Sequence, residues 1–455
     1  MLTGSKFYNN SSFWFLVIAI FVRLNPYIAE LSYIMLAVYA NFGKSQAIKA
    51  LVLTYFFTMI NSSIAPNIPL ISLLRYLVIF AAFLSVFLRT SFLKFDHFSL
   101  FTIGFVIFII IHSILFSQFP DVSIFKITSW IIVVITLLKA WSGLNELDYN
   151  ELQNWIVKSL LVFALLSLPT IFIPEIGFAR NTMGFQGLLN HPQSFGVTIA
   201  LLTAILLGEL IGQSRPSWSL IITVILLFWM ILISQTRTAG LGLFLALGIT
   251  LLFFLILGFL KKKSYLPIFK SKRLFIVFFI SVLLLIIFSK EIFVFFNTFI
   301  SKTEVGLTSI IEIYKISRGV LFEPMIENIN KNFMTGIGFG VASDPLDMII
   351  QRDPFLNLPI SAPTEKGIVF IMMMEELGFF GFILFIIWIS IVFIRAINNG
   401  LKAVILVVTI FLLNLGEAVL FSPGGLGLLV LILLISAVTK PTLSPNLPKS
   451  AHSKN

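Results

Sequence analysis

Between Leu220 and Leu260 the chain stays apolar for about two membrane widths, and its only charge there is Arg237, within Ser234-Gln235-Thr236-Arg237-Thr238-Ala239-Gly240. An arginine at a bilayer centre costs at least ~2.5–3.5 kcal/mol on insertion scales, so the stretch predicts a tight hairpin that carries the guanidinium to one membrane face. A guanidinium there is a permanent, bidentate donor suited to phosphate oxygens. Arg237 is therefore a candidate functional residue.

A second segment, Arg180 to Gly196, reads Arg-Asn-Thr-Met-Gly-Phe-Gln-Gly-Leu-Leu-Asn-His-Pro-Gln-Ser-Phe-Gly. Its glycines and proline break a helix, and Asn190 could cap the span that follows. Polar backbone at membrane depth is tolerated only where it lines a cavity or is buried in protein. The competing reading is an interfacial loop whose Arg180 meets lipid phosphates. For His191, capping or packing is favoured over catalysis. A third arginine, Arg318, falls on the face set by Leu307, Ile311, Tyr314, Leu321, Met325 and Ile329, which predicts a helix lying along the membrane. Arg318 needs a partner there, or it snorkels to headgroups. Pro324 is expected to break or restart that helix. Further on, Glu365 could take a proton from a hydroxyl, or Lys366 could contact phosphate.

The elements that position these groups follow from composition. The 455-residue chain is 58% hydrophobic and 11% charged, with 50 phenylalanines and a mean hydropathy of +1.03. That is more apolar surface than a water-soluble fold can hide. Continuously apolar runs exclude a transmembrane barrel, which would alternate, and predict an all-α polytopic membrane protein. Spans are expected near 12–25, 27–42, 47–62, 68–88, 98–117, 123–140, 153–173, 193–213, 217–234, 238–260, 274–290, 367–395, 402–415 and 424–439. The first two are short, and Arg23-Leu24-Asn25-Pro26 could be a kink within one span, so the count is about 12–14. The absence of cysteine excludes disulfides and thiolate metal sites.

Lysine and arginine are retained on the cytoplasmic side. The basic loop around Lys261-Lys262-Lys263, Lys270, Lys272 and Arg273 sets one face inside, and alternation then places Lys44, Arg89, Lys139, Arg215, Arg395 and the tail lysines with it. Both termini are expected in the cytoplasm. The charge of +11 is thus a topology signal, and no nucleic-acid partner is expected. Arg180 to Gln193, the Arg237 hairpin and one long loop, about 291–366, share the outer face. That loop carries nine acidic side chains against six basic ones, so it holds an anion only through particular residues. Gly336-Ile337-Gly338-Phe339-Gly340 is read as a flexible turn, since no strand precedes it as a phosphate loop requires. Asp344, Asp347 and Asp353 match no calcium-loop spacing and are read as solvating the loop, with no metal site. Glu375 and Glu376 are costly so deep unless paired, and for Glu375 a structural ion pair is favoured. The units are then 1–175 amino-terminal spans, 176–290 core helices with arginine-bearing outer loops, 291–366 the long loop, 367–440 carboxy-terminal spans, and 441–455 a disordered cytoplasmic tail.

The order of these features resembles the O-antigen ligase and polysaccharide polymerase superfamily of membrane glycosyltransferases. The loop ahead of a span, the Ser234-to-Arg237 hairpin, the basic inner loop, an outer loop with Ser317-Arg318, Gly336-Ile337-Gly338 and Glu376-Leu377-Gly378 carry the likeness, over about Arg180 to Gly427. The resemblance implies a GT-C-like helical membrane fold in the cytoplasmic (inner) membrane of a bacterium. It implies a metal-independent enzyme with no cofactor, acting on a polyprenyl-diphosphate-linked glycan with a glycan or lipid acceptor, among membrane lipids and other polysaccharide-assembly membrane proteins. By position, Arg180 and Arg237 look like its diphosphate-binding arginines and Arg318 like its loop arginine. The catalytic set is then Arg237, Arg318 and Glu365, and the substrate-binding set Arg180, Asn190, His191 and Lys366. One departure stands out. Ligases of this family place a histidine shortly before the Glu-x-Gly motif, whereas this chain has Glu365, Lys366 and Gly367. That leaves ligase or polymerase open.

Two other classes compete. A transporter or lipid-linked glycan flippase would use as many spans and could place Arg23, Arg75, Glu376 and Glu417 along a path, but internal repeats are not visible. A structural membrane protein explains the hydropathy without explaining arginines gathered on one face.

Overall fold

In lipid a backbone must satisfy its own hydrogen bonds, and an uninterrupted apolar run can do so only as a helix. A computed structural model of the protein bears this out over the residues it describes, which are 11–90, 95–180, 184–261, 265–291, 310–354, 357–364 and 366–441. Every apolar stretch named above coincides with a helix. They are α1 (Ser11–Leu24), α2 (Leu31–Ala40), α3 (Lys44–Met59), α4 (Ile71–Leu88), α5 (His97–Phe116), α6 (Pro120–Ser142), α7 (Glu146–Ser167), the short α8 (Pro174–Gly177), α9 (Pro192–Ile211), α10 (Trp218–Ile233), α11 (Arg237–Lys261) and α12 (Lys272–Ile287). The chain continues with α13 (Ile310–Lys331), α14 (Val369–Asn399), α15 (Leu401–Leu413) and α16 (Gly425–Val438). Seven of these are long and apolar enough to cross a membrane by length and composition, α7 counting with the 3₁₀ turn Leu168–Phe172 that continues it. Others, such as α10, α15 and α16, are apolar but shorter. Among the described residues there is no strand, only the isolated bridges Ile60–Leu189 and Gln351–Ser361.

Local chemistry sets the helix starts. Asp96, Asn145 and Ser217 each accept a backbone N–H of the first turn of α5, α7 and α10, and prolines open α6 and α9, where a missing N–H costs nothing. Arg23-Leu24-Asn25-Pro26 is not a kink. It ends α1, which packs on a separate α2. Pro324, expected to break its helix, sits inside α13 instead; one missing N–H removes one intrahelical bond, and α13 runs on through it. The apolar stripe of α13 is buried at Met325 and half-buried at Leu321 and Ile329, while Leu307 lies outside the described residues.

The core is built around α9, which is buried along almost its whole length; it packs against α7, α10, α11 and α15. Small residues permit the approach. Gly196 stands against Thr236 and Ser234, and Gly208 against the backbone of Lys402, with no room for a side chain at either. Phe21, Leu88, Phe244 and Phe259 lie exposed on the outside of the bundle, as in a protein whose surroundings are lipid.

Helix ends fall into two groups. At one, the basic end, Lys44 Nζ donates to Gly143 O at 3.2 Å, Arg89 to Asn41 O, and Arg273 Nη1 to Pro216 O at 2.6 Å, while Arg395 pairs with Asp96. At the other, Asn61 N donates to Leu188 O at 2.9 Å, Thr236 Oγ1 to Pro192 O at 3.0 Å, and Val369 N to Asn414 O at 3.0 Å. This grouping follows the alternation read from charge.

Candidate functional site

The segment before α9 is tied down on three sides. Asn190 N donates to Met59 O at 2.9 Å, Phe185 N to Ile233 O at 3.1 Å and Gln186 N to Gly177 O at 2.8 Å. Buried Gln186 turns back on its own segment, accepting Arg180 N through Oε1 at 2.9 Å and donating to Leu189 O at 3.1 Å. Gly187, at φ +55°, leaves no space for a Cβ beside Ser167 and Phe195. The result is an ordered shelf of polar backbone at the end of the bundle.

A cavity of about 580 Å³ opens beside this shelf, lined by Arg180, Asn190 and His191 together with Arg23, Asn61 and Asn67. Three of the substrate-binding residues expected from sequence therefore share one space. His191, not Asn190, caps α9. Its Nδ1 accepts Gln193 N at 3.1 Å, which assigns the ring proton to Nε2. Pro192 at the first helical position makes the residue just before it the cap, which excludes Asn190 from that task.

Arg237 opens α11 as the hairpin reading predicts, and the hairpin is latched to the shelf by the Thr236–Pro192 bond. Arg237 is half-buried, and its Nε is enclosed without a hydrogen-bond partner among the described residues. It is not among the residues lining the 580 Å³ cavity. Arg318 belongs to α13 by its backbone, with its side chain outside what is described, and Glu365 lies outside the described residues altogether.

Lys366 sits elsewhere. It is buried, with its Nζ 2.7 Å from Glu375 and 3.0 Å from Glu376. Glu375 also accepts from Asn328 Nδ2 at 2.8 Å and from Ser343 Oγ at 3.2 Å, and Glu376 accepts Gly340 N at 2.7 Å. Lys126 of α6 donates to Gly340 O at 2.6 Å. The ion pair expected for Glu375 is present, and its partner is the lysine expected on phosphate. The turn Gly336–Gly340 is buried rather than flexible: Ile337 N and Gly338 N donate to Glu375 O and Glu376 O at 2.9 and 3.0 Å. Those carbonyls are available because α14 breaks at Gly378, φ +63° and ψ −169°. Asp353 does not solvate its loop either. It is buried and accepts Leu358 N at 2.7 Å, while Asp344 caps the turn Pro345–Asp347.

Arg23 is the lining residue that sequence reading assigns only to a transport path. It is almost wholly buried, donating to Phe57 O from Nε and Nη2, both at 3.2 Å, and to Pro66 O from Nη1 at 3.0 Å. A charged residue at the end of an apolar span was the available signal. Amide side chains, a histidine N–H and two guanidinium-bearing residues around one polar space suit a hydroxyl-rich or phosphorylated ligand. Among the described residues no group of three carboxylate or imidazole side chains is spaced to hold a metal ion. Neither a family model nor a curated protein matches this chain.

Proposed function

We propose that the chain is a membrane glycosyltransferase of the O-antigen ligase and polymerase kind, with a GT-C-like architecture, that transfers or polymerises glycan from a polyprenyl diphosphate. It works on the outer face of a bacterial cytoplasmic membrane, with both termini inside. The single observation that carries this reading is that the arginine-bearing shelf, Arg180 with Asn190 and His191, lines a polar cavity and is latched to the hairpin that ends in Arg237.

The chemistry asks for such a set. An acceptor hydroxyl attacks the anomeric carbon, the bond from that carbon to the diphosphate oxygen breaks, and the hydroxyl proton passes to a base, a role for which Glu365 is the sequence candidate. The diphosphate leaves without needing a proton, but its negative charge grows, and fixed guanidinium donors stabilise that growth. Reconstituted protein given a polyprenyl-diphosphate oligosaccharide should form a ladder if it polymerises, or a single addition to a second acceptor if it ligates. Arg180→Ala and Arg237→Ala should each lower the rate ~10²–10³-fold, as for loss of an oxyanion-hole donor. Inserted, folded variants with unchanged turnover would overturn the assignment.

A second reading has its own support. The broken α14 beside the buried Lys366, Glu375 and Glu376 is the kind of discontinuous helix that transporters use at their binding sites. Movement of the lipid-linked glycan between leaflets with no new glycosidic bond would favour it.

A further inference from the structure

A second large cavity lies away from the shelf, at the basic end of the bundle. It measures about 830 Å³ between the α2–α3 turn, the end of α4 and the start of α7. Its lining carries three cations, Lys44, Lys49 and Arg89, against two carboxylates, Asp148 and Glu151. Lys49 lies over the ring of Trp155 at 5.5 Å and in the field of both carboxylates. The acidic pair is thus matched to Lys49 and one further positive charge, which leaves the cavity one positive charge in excess.

Lys44 and Arg89 supply the remaining cations of the lining. The Lys44 ammonium, with three protons, donates to one carbonyl, Gly143 O at 3.2 Å. Arg89 is aligned by Ser85, whose hydroxyl accepts Nη1 at 2.6 Å, and by the carbonyl of Asn41. Lys44, Ser45 and Gln46 are also the first turn of α3, whose cap residue Gly43 offers no side-chain acceptor, so the helix adds partial positive charge to the same lining. The lining also carries aromatic rings. Phe15 stacks on Tyr39 at 5.6 Å, and both meet Phe42 edge-on at 6.4 and 6.1 Å, with Phe42 itself exposed. A polar cationic chamber that opens beside an aromatic strip, at the end of apolar helices, has the make-up of a site for a phosphate on an alkyl chain.

We infer that this cavity binds the headgroup of a membrane phospholipid through its phosphodiester, and that it prefers a headgroup of net charge −1 over a zwitterionic one. Basic pockets between membrane helices on the cytoplasmic side recognise phosphorylated headgroups in this way. The aromatic strip lies against the acyl chains, and the excess positive charge sets the preference. This site is independent of the glycan reading and would exist in a transporter equally well.

The test uses delipidated full-length protein in detergent, with bound lipid counted by native mass spectrometry. Phosphatidylglycerol, phosphatidylethanolamine of the same chains, and soluble glycerol phosphate are the three probes. Phosphatidylglycerol should be retained about fivefold more strongly than phosphatidylethanolamine, the effect of about one charge at a membrane surface. Lys44→Gln and Arg89→Gln should each lose about that factor. Asp148→Asn, which removes an opposing charge, should increase retention, and Lys272→Gln, at the same end but outside the cavity, should change nothing. If Arg89→Gln does not fold, Lys44→Gln and Asp148→Asn still move retention in opposite directions. Equal retention of the two lipids, or retention indifferent to Lys44 and Asp148, overturns the inference. Glycerol phosphate competing as well as the lipid overturns the lipid assignment in favour of a soluble phosphate ester.

Discussion

A lysine held between two glutamates in a nonaqueous interior cannot be removed without leaving both carboxylates facing one another. Lys366→Met should therefore destabilise the protein by about 3–5 kcal/mol, the cost of breaking a buried pair. The triple change Lys366→Met, Glu375→Gln and Glu376→Gln should recover much of the loss; thermal unfolding in detergent would show both. A triple variant no better than the single one would mean that the cluster matters for its shape rather than its charge. At this scale the sequence shows Arg180, Asn190 and His191 as a group, because all three sit in one polar segment ahead of a span. It does not show Arg23 among them, since a long stretch of chain separates the two and only packing brings α1 to the shelf. Lys366 is the opposite case. Its type and depth suggest an anion partner, but nothing local decides between a ligand phosphate and the Glu375 and Glu376 side chains that claim it.

Elements are where the sequence is read most easily and also where it misleads. Every helix at an apolar run is legible from hydropathy, because length and continuity in lipid leave one solution. The break in α14 is legible only as a glycine. At φ +63° and ψ −169° Gly378 occupies a region open to glycine alone, and a Cβ there would strike the Met334 carbonyl. Gly378→Ala should cost at least ~1–3 kcal/mol and loosen the clasp between α14 and the Gly336–Gly340 turn. Faster hydrogen exchange at Ile337 and Gly338 would report that loosening, while unchanged exchange would mean that the turn is held by other contacts. Pro324 shows the reverse error: proline signals a break, yet α13 runs through it, with the adjacent Met325 fully buried.

For the whole molecule, the two groups of helix ends make a sidedness prediction that is simple to check, because the chain has no cysteine of its own. A cysteine placed at Ser62, exposed by the cavity shelf, should react with a membrane-impermeant maleimide in intact cells. One placed at Lys270, exposed at the basic end, should react only after permeabilisation. The reverse pattern would invert the orientation read from the charges and move the proposed chemistry to the cytoplasm.

The enclosure of α9 also bears on how the protein is made. One of its neighbours, α15, begins at Leu401, 190 positions after α9 ends at Ile211. At ~5–20 residues per second of synthesis, roughly 10–40 s separate the two on the ribosome. During that interval a helix destined for the centre stands with one flank against lipid or an insertion factor. Its glycines, Gly196 and Gly208, suit a tight protein neighbour better than they suit acyl chains. The segment from Leu401 onward therefore closes the bundle around a helix that has been waiting in the membrane, and a chain terminated before Leu401 would leave that helix for quality-control proteases to find.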